Sequence, residues 1–361
     1  MTIYLIILGL LVLFGFLDII RLRENQKVIF IFVIFILFIL LDGLRWETGT
    51  DWKVYRDFFL NNSKEKWMVF EPGYVLINKI IYSISGNYSV FLIFIAFLIY
   101  SLYLKSITDY AIYPLITILF FYCYFIGYMG MNRQHIAMAI CLFSFRYILS
   151  KEFWKFFLCV ALAALFHRTA LIFLVTFFLN RSIQPYSLLL GLIIVYLLNP
   201  VIASLIKPFV SAMPSQIALK LNGYLESEAM NSTFGVIMGT MKRALIFLPI
   251  YLNKNWLKEK YPGIEIMLNI YFLSLLIYVL FNNSVQVFVS RGNLYFGTLF
   301  EIFLIPFFLV IVKKAFSQLV VYFLFIVFAM LTLIKSISVF YDLFVPYKGL
   351  FINSHFHRIL Y

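Results

Sequence analysis

Ionisable or polar side chains lie near the ends of the apolar segments of this sequence, and the arginines among them are suited to bind an anion. The candidates are Arg45, Glu47, Asp51, Glu71, Arg133, Gln134, His167, Arg168, Arg291 and Tyr295. An arginine guanidinium is planar, stays charged and matches phosphate oxygens with paired hydrogen bonds. Charged groups near membrane hydrocarbon are costly, so they usually pair with each other or serve a substrate. The pattern predicts a site for a lipid phosphate or pyrophosphate.

Other kinds of site lack their sequence signatures. The chain has no Gly-Lys-Ser/Thr phosphate loop, no Cys-x-x-Cys, no His-Glu-x-x-His and no Gly-x-Ser-x-Gly element. His355 and His357 have the spacing of metal ligands, but no carboxylate or cysteine cluster lies beside them in the sequence. We therefore expect neither a metal ion nor a cofactor.

The composition places these side chains on a membrane protein. Apolar residues make up 64% of the 361 residues, and charged residues make up 12%. At roughly 20 residues per spanning helix, the apolar content allows at most about eleven or twelve spans. This excludes a soluble enzyme and a nucleic-acid-binding domain. The net charge of +13 is interpreted as the usual excess of Lys and Arg in cytoplasmic loops.

The apolar runs predict an all-α polytopic protein, a single transmembrane domain over residues 1–361. The predicted segments are 2–20, 28–44, 88–104, 111–129, 132–149, 154–166, 169–179, 187–206, 235–252, 264–282, 294–312 and 319–335. Two long loops interrupt them, at 45–87 and 207–234. In the first loop Tyr74, Ile77, Ile81 and Ile84 recur at helical spacing. This spacing predicts an amphipathic helix over 74–85, serving as an interfacial anchor or supporting a substrate groove.

Basic residues in short loops predict the orientation. They cluster around Arg23, Lys155, Lys258 and Lys313. All these loops face the cytoplasm if the N-terminus lies outside and 154–179 is a hairpin of two short helices. Each arm of that hairpin is shorter than the hydrocarbon core, so its tip at 166–169 must line a cavity reached by water. Both long loops and the candidate residues then lie on the outer side.

Several of these residues admit a plainer interpretation. The guanidinium of Arg133 could simply reach the lipid phosphates. His167 could be a hydrogen-bonded core histidine, and Glu301 could pair with an arginine across a helix interface. His135 lies about 200° around a helix from Arg133, which favours a structural role.

The motifs that carry these residues resemble the EpsG-type branch of the Wzy polysaccharide polymerases. The matching pieces are Arg45-Trp-Glu-Thr-Gly-Thr-Asp51 with Tyr55, Glu71-Pro-Gly-Tyr74, Met131-Asn-Arg133-Gln134, Ala163-x-x-Phe166-His167, and Arg291 with Tyr295-Phe296. Each motif is weak alone, but their order extends over most of the chain. Where the family pattern has serine, this chain has Thr169.

The resemblance implies a metal-independent glycosyltransferase of the GT-C type in the bacterial inner membrane, with its active site facing the periplasm. Donor and acceptor would both be glycans linked to undecaprenyl pyrophosphate, and a Wzz-type chain-length regulator would be a partner. Arg133 and Arg291 would bind the pyrophosphate, with Arg45 and Arg168 as further candidates. His167 would be a pyrophosphate donor or the general base, in competition with Asp51 and Glu47. Glu71, Gln134 and Tyr295 would complete the site.

Three other functions stay open. A lipid-linked oligosaccharide flippase needs charges along a path through the membrane, whereas the candidate charges here crowd one side. An O-antigen ligase uses the same donor and is poorly separated by sequence. A membrane acyltransferase would need a histidine or acidic pair at a cytoplasmic or midplane acyl-donor site, where the sequence predicts none.

Overall fold

The computed structural model describes residues 1–20, 22–61, 70–211, 233–282, 284 and 286–358. These residues are helical or irregular, without a strand, and one isolated bridge joins Arg45 to Gly349. The α-helices are α1 (Thr2–Ile19), α2 (Glu24–Gly43), α3 (Trp52–Leu60), α4 (Pro72–Ser85), α5 (Tyr88–Tyr110), α6 (Pro114–Phe125), α7 (Asn132–Leu149), α8 (Phe153–Ala164), α9 (Pro185–Ser211), α10 (Thr233–Leu252), α11 (Lys254–Lys260), α12 (Ile264–Phe281), α13 (Gln286–Ser290), α14 (Thr298–Leu304), α15 (Phe307–Ile311), α16 (Ala315–Ser338) and α17 (Tyr341–Phe344). Short 3-10 helices cover Ile126–Tyr128, Arg168–Leu179 and Gly292–Tyr295.

The expected helical membrane protein is confirmed, but the twelve predicted segments, two of them the short hairpin arms, are not confirmed as twelve spans. By length and composition, seven described helices could cross a membrane: Thr2–Ile19, Asn25–Gly43, Tyr88–Tyr110, Pro185–Ile206, Phe234–Leu252, Ile264–Phe281 and Ala315–Ser338. An eighth arises if Phe288–Tyr295 and Thr298–Ile311, bent by 54°, count as one span. The other predicted segments are helical too, but three are short and α7 begins with four polar residues. A continuous apolar run does not reveal where a helix breaks.

The two long loops contain more helix than the sequence suggested. The first holds α3 and α4, and its residues 62–69 lie outside the described part. In α4 the buried face is Tyr74, Val75, Asn78 and Ile81, whereas Ile84, placed on the apolar stripe by its spacing, is exposed. Residues 207–211 of the second loop continue α9, and 212–232 lie outside the described part.

The described chain forms two compact units, residues 1–171 with 312–361, and residues 172–311. In the first unit, α1 and α6 run antiparallel. Asp18 near the end of α1 accepts hydrogen bonds from the first amides of α6, 2.8 Å from Leu115 N and 3.1 Å from Ile116 N. At the opposite ends of these helices, the Tyr122 hydroxyl donates to the Tyr4 carbonyl at 3.0 Å.

Further contacts bring one end of every long helix in the first unit together. The Ser336 hydroxyl donates to the Cys123 carbonyl at 2.8 Å, and the Thr50 amide donates to the Met129 carbonyl at 3.3 Å. Residues 43–52, 70–73, 126–133, 165–168 and 339–349 meet there, and we call this the loop end. At the other end, Arg146 pairs with Asp109 at 3.0 Å.

The second unit is built on α12. Its first four turns are largely buried against α9 and α10. The Asn269 amide donates to the Leu179 and Arg181 carbonyls at 2.9 and 2.7 Å, which ties the start of α12 to the chain after the 3-10 helix. An apolar cavity of about 220 Å³ lies between Ile172, Ile277 and Gly292.

Candidate functional site

Arg133 lies in the first turn of α7 and is held by two polar partners. Its Nη1 lies 2.6 Å from Glu71 Oε2, and its Nε donates to the Tyr55 hydroxyl at 3.1 Å. The Phe70 ring centre is 4.4 Å from the guanidinium carbon. Burial raises the pKa of Tyr55 to about 12, so its phenol is neutral at physiological pH and accepts this bond. The Arg133 side chain therefore points into a polar cluster.

Glu71 is placed by the turn that starts α4. Pro72 occupies the first position of that helix. A backbone N–H at this position would have no partner within the helix, so proline loses no hydrogen bond there. The Gly73 amide donates to the Leu165 carbonyl at 2.8 Å, and a Cβ at Gly73 would come within 2.8 Å of the same oxygen. Only glycine permits this approach. It brings Glu71 Oε1 to 3.4 Å from the Arg168 amide nitrogen.

His167 and Arg168 lie where the chain leaves α8 and enters the 3-10 helix Arg168–Leu179. The segment 154–179 is thus broken at 165–167, as the two predicted arms require. His167 is half-buried, and its Nδ1 lies 2.5 Å from the Thr169 hydroxyl. The Arg168 side chain is exposed. The structure thus brings Arg133, Glu71 and the His167–Arg168 break together at the loop end.

Arg45 also lies at the loop end, but it is sealed from the surface. The residue is 1% exposed and forms an ion pair with Asp42, whose carbonyl it also reaches at 2.8 Å. Its second terminal nitrogen donates to Asn132 Oδ1 at 2.9 Å. Arg45 therefore joins the end of α2 to the residue just before Arg133.

Glu47 and Asp51 occupy the loop between α2 and α3. Lys348 Nζ lies 2.7 Å from Glu47 Oε2, and the Arg358 Nε donates to the Glu47 carbonyl at 2.5 Å. Glu47 has a φ of +45°, a conformation that non-glycine residues seldom adopt. Asp51 directly precedes α3 and is half-buried.

Sequence reasoning missed the buried partners of this site, namely Asp42, Lys348 and Arg358. Asp42 ends an apolar run, where a lone carboxylate resembles an ordinary boundary residue. Lys348 and Arg358 lie some three hundred residues from the loop that they contact. Only knowledge of the tertiary structure connects them.

The remaining predicted site residues are distributed over both units. Gln134 is buried in α7, beside Arg133. Arg291 and Tyr295 belong to the second unit, at the start and end of a 3-10 turn, and Tyr295 is fully buried. Glu301, in the same unit, is 2.7 Å from Lys242 Nζ and accepts a hydrogen bond from Tyr271 at 3.1 Å. Its partner is a lysine, where an arginine was expected.

His135 has the buried position expected of a residue with a structural role. It is buried in α7 with its ring 5.6 Å from that of Phe125, within an aromatic cluster that includes Tyr103. It forms no part of the polar cluster around Arg133.

A comparison with known families gives a match over most of the chain. The model described as EpsG family matches residues 27–349, which include every predicted site residue. No curated protein and no solved structure matches the chain.

Proposed function

Because this chain belongs to the EpsG family, we propose that it is a polysaccharide polymerase, a GT-C-type glycosyltransferase of the bacterial inner membrane. The donor is a growing glycan on undecaprenyl pyrophosphate, and the acceptor is the non-reducing end of an incoming lipid-linked repeat unit. The observation that carries the proposal is the Arg133–Glu71 pair, which meets the His167–Arg168 break at the loop end.

At the anomeric carbon, the proposed reaction forms one bond and breaks another. A hydroxyl of the acceptor sugar attacks the anomeric carbon of the donor's reducing-end sugar. The bond from that carbon to the pyrophosphate oxygen breaks, and undecaprenyl pyrophosphate leaves with the electron pair. The hydroxyl proton passes to a protein base. Since pyrophosphate is a good leaving group, the protein mainly aligns the substrates and stabilises the leaving charge.

The contacts suggest how the candidate residues divide this work. Arg133 and Arg168 bind the pyrophosphate, and the role of Arg291 in the second unit stays a prediction from its sequence motif. Among the possible bases, Glu47 is paired with Lys348, and His167 and Asp51 are the other candidates. His167 stands next to Arg168 in the chain.

Buried candidates serve as positioning residues. Arg45 holds the start of α7 through Asn132, which precedes Arg133. Gln134 and Tyr295 are also inaccessible and support the elements that carry Arg133 and Arg291.

The charge distribution supports a periplasmic site. In the first unit, basic residues lie in or beside the short connections at the end opposite the loop end: Arg23, Lys27, Lys151, Lys155, Lys313 and Lys314. Because short cytoplasmic loops carry the excess of Lys and Arg, this end faces the cytoplasm in our proposal. The loop end then faces the periplasm, where the lipid-linked glycans are joined.

The test is the glycan ladder of a deletion strain complemented with variants. The wild-type chain should restore a ladder of many repeats. Arg133→Ala, His167→Ala and Arg291→Ala should each leave a single repeat, because each substitution removes either a proposed ligand of the donor's pyrophosphate or the proposed base. Arg56→Ala is the matched control, since its guanidinium lies near the loop end and, among the described residues, contacts Asp57 at 3.7 Å and two tryptophan rings.

The outcomes separate the candidate functions. A single repeat with equal protein levels supports polymerase activity at this site. Loss of all surface glycan, including the single repeat, would indicate a flippase or a ligase. A normal ladder from both Arg133→Ala and Arg291→Ala would exclude the proposed site.

A further inference from the structure

The Glu71 carboxylate lies at a position of the loop end that is suited to an anion. We propose that this carboxylate is a displaceable stand-in for a phosphate of the substrate, and that the bound diphosphate drives it away from Arg133. This inference rests on the proposed function and adds an internal competitor to the same site.

The surroundings of the Glu71 carboxylate are those of a phosphate site. One oxygen is 2.6 Å from Arg133 Nη1, and the other is 3.4 Å from the Arg168 amide nitrogen. That amide lies at the N-terminus of a twelve-residue 3-10 helix. Backbone N–H groups at a helix N-terminus favour a negative charge beside them. An arginine together with a helix N-terminus binds phosphate oxygens as readily as carboxylate oxygens.

Two arginine–carboxylate pairs at the loop end differ in accessibility. The side chains of Arg45 and Asp42 are 1% and 3% exposed, and those of Arg133 and Glu71 are 22% and 12% exposed. A sealed pair can be opened only by disrupting the fold. The Arg133–Glu71 pair is open enough for a ligand to reach, so exchange of one anion for another requires only local movement.

Charge gives the exchange a direction. A half-buried guanidinium without a counter-ion is costly, so Glu71 neutralises Arg133 when no substrate is present. A diphosphate diester carries two negative charges, one more than the carboxylate that it replaces. The exposed side chain of Arg168 lies next to the same amide and can neutralise the second charge. After glycosyl transfer, Glu71 competes with the leaving diphosphate and promotes its release.

A different role for Glu71 makes the opposite prediction. If the carboxylate only orients Arg133, weakening their contact should weaken anion binding. Glu71→Gln distinguishes the two roles, because glutamine keeps the size and a hydrogen-bonding oxygen but removes the charge. Its side chain makes no capping bond in α4, so the substitution leaves that helix intact.

The experiment measures binding of inorganic pyrophosphate to the purified full-length protein in lipid nanodiscs by calorimetry. We expect Glu71→Gln to tighten binding about tenfold, the size of effect that a removed charge at a polar site produces. Arg133→Ala should weaken binding, and in the double variant the gain from Glu71→Gln should vanish. Glu152→Gln is the control, since its carboxylate pairs with Lys155 at the opposite end.

The results distinguish this inference from the proposed function. Unchanged or weaker binding by Glu71→Gln, with weaker binding by Arg133→Ala, would overturn the stand-in role and leave the anion site in place. Equal binding by the wild type and Arg133→Ala would remove the anion site itself. Tighter binding by Glu152→Gln as well would show a general charge effect and would also overturn the inference.

Discussion

At the scale of residues, Arg45 and Arg133 of the loop end show why a residue type alone does not define a role. Arg45 and Arg133 both follow apolar segments, and both have a carboxylate partner. Burial separates them, because Arg45 is enclosed by the protein and Arg133 remains accessible. The first contributes to the fold, and the second is available to a ligand.

Removal of Arg45 should therefore destabilise the protein. In Arg45→Ala, Asp42, which is 2% exposed, keeps the Tyr100 hydroxyl at 3.2 Å as its one side-chain partner within the described part of the chain. Leaving a buried charge uncompensated costs roughly 3–5 kcal/mol. Thermal unfolding in detergent, followed by tryptophan fluorescence, should show a marked drop in the midpoint. The double variant Arg45→Met with Asp42→Leu should recover much of it, and no recovery would contradict the explanation.

At the scale of elements, α4 shows how a helix positions the polar cluster around Arg133. Its first turn lies against the Leu165 carbonyl because Gly73 has no side chain. That contact places Glu71 between the start of α7 and the 3-10 helix. The Glu71-Pro-Gly motif thus combines a charged group with the backbone geometry that aims it.

A methyl group at Gly73 should separate these elements. The added Cβ of Gly73→Ala would approach the Leu165 backbone to 2.8 Å, which requires a shift of α4 or of the break at 165–167. Overpacking of this kind costs about 1–3 kcal/mol and should lengthen the Arg133–Glu71 contact. We expect a shortened or absent glycan ladder at normal expression. Gly9→Ala is the control, because nothing lies within 4 Å of its added Cβ, and an equal loss there would refute the argument.

Sequence reasoning located the elements better than it located the contacts. The apolar runs mark the long helical segments because a membrane helix needs about 20 apolar residues, but they do not show the bend after Tyr295 or the shortness of α6. Motif spacing indicated Arg133, Glu71 and His167, which are held at the loop end by local turns. The contacts that fix Arg45 and Glu47 involve distant residues, which one sequence does not reveal.

At the scale of the whole molecule, the last segment of the chain completes the first long loop. The Trp46 amide donates to the Lys348 carbonyl at 2.9 Å, and Lys348 pairs with Glu47. The Tyr347 hydroxyl donates to the Leu41 carbonyl at 2.7 Å. Residues 339–358 thus hold the loop that carries Arg45, Glu47 and Asp51.

Deletion of residues 345–361 should abolish polymer formation while the chain still inserts into the membrane. The deletion removes Lys348 and Arg358, so Glu47 loses both of its cationic partners. The glycan ladder and the membrane-fraction protein level should be measured together. His355→Ala and Phe351→Ala alter exposed side chains of the same segment and should keep the ladder. A normal ladder from the truncated chain would show that the segment is dispensable.

The bridge between Arg45 and Gly349 also sets the order of events during synthesis. The loop after α2 leaves the ribosome early, yet its partner Lys348 is translated 301 residues after Glu47. Until then the loop lacks the contacts that fix its shape, so a nascent or prematurely terminated chain cannot assemble the site. Assembly of the loop end would therefore wait until residues 339–349 are translated, and a stop codon before them would leave the loop after α2 without these contacts.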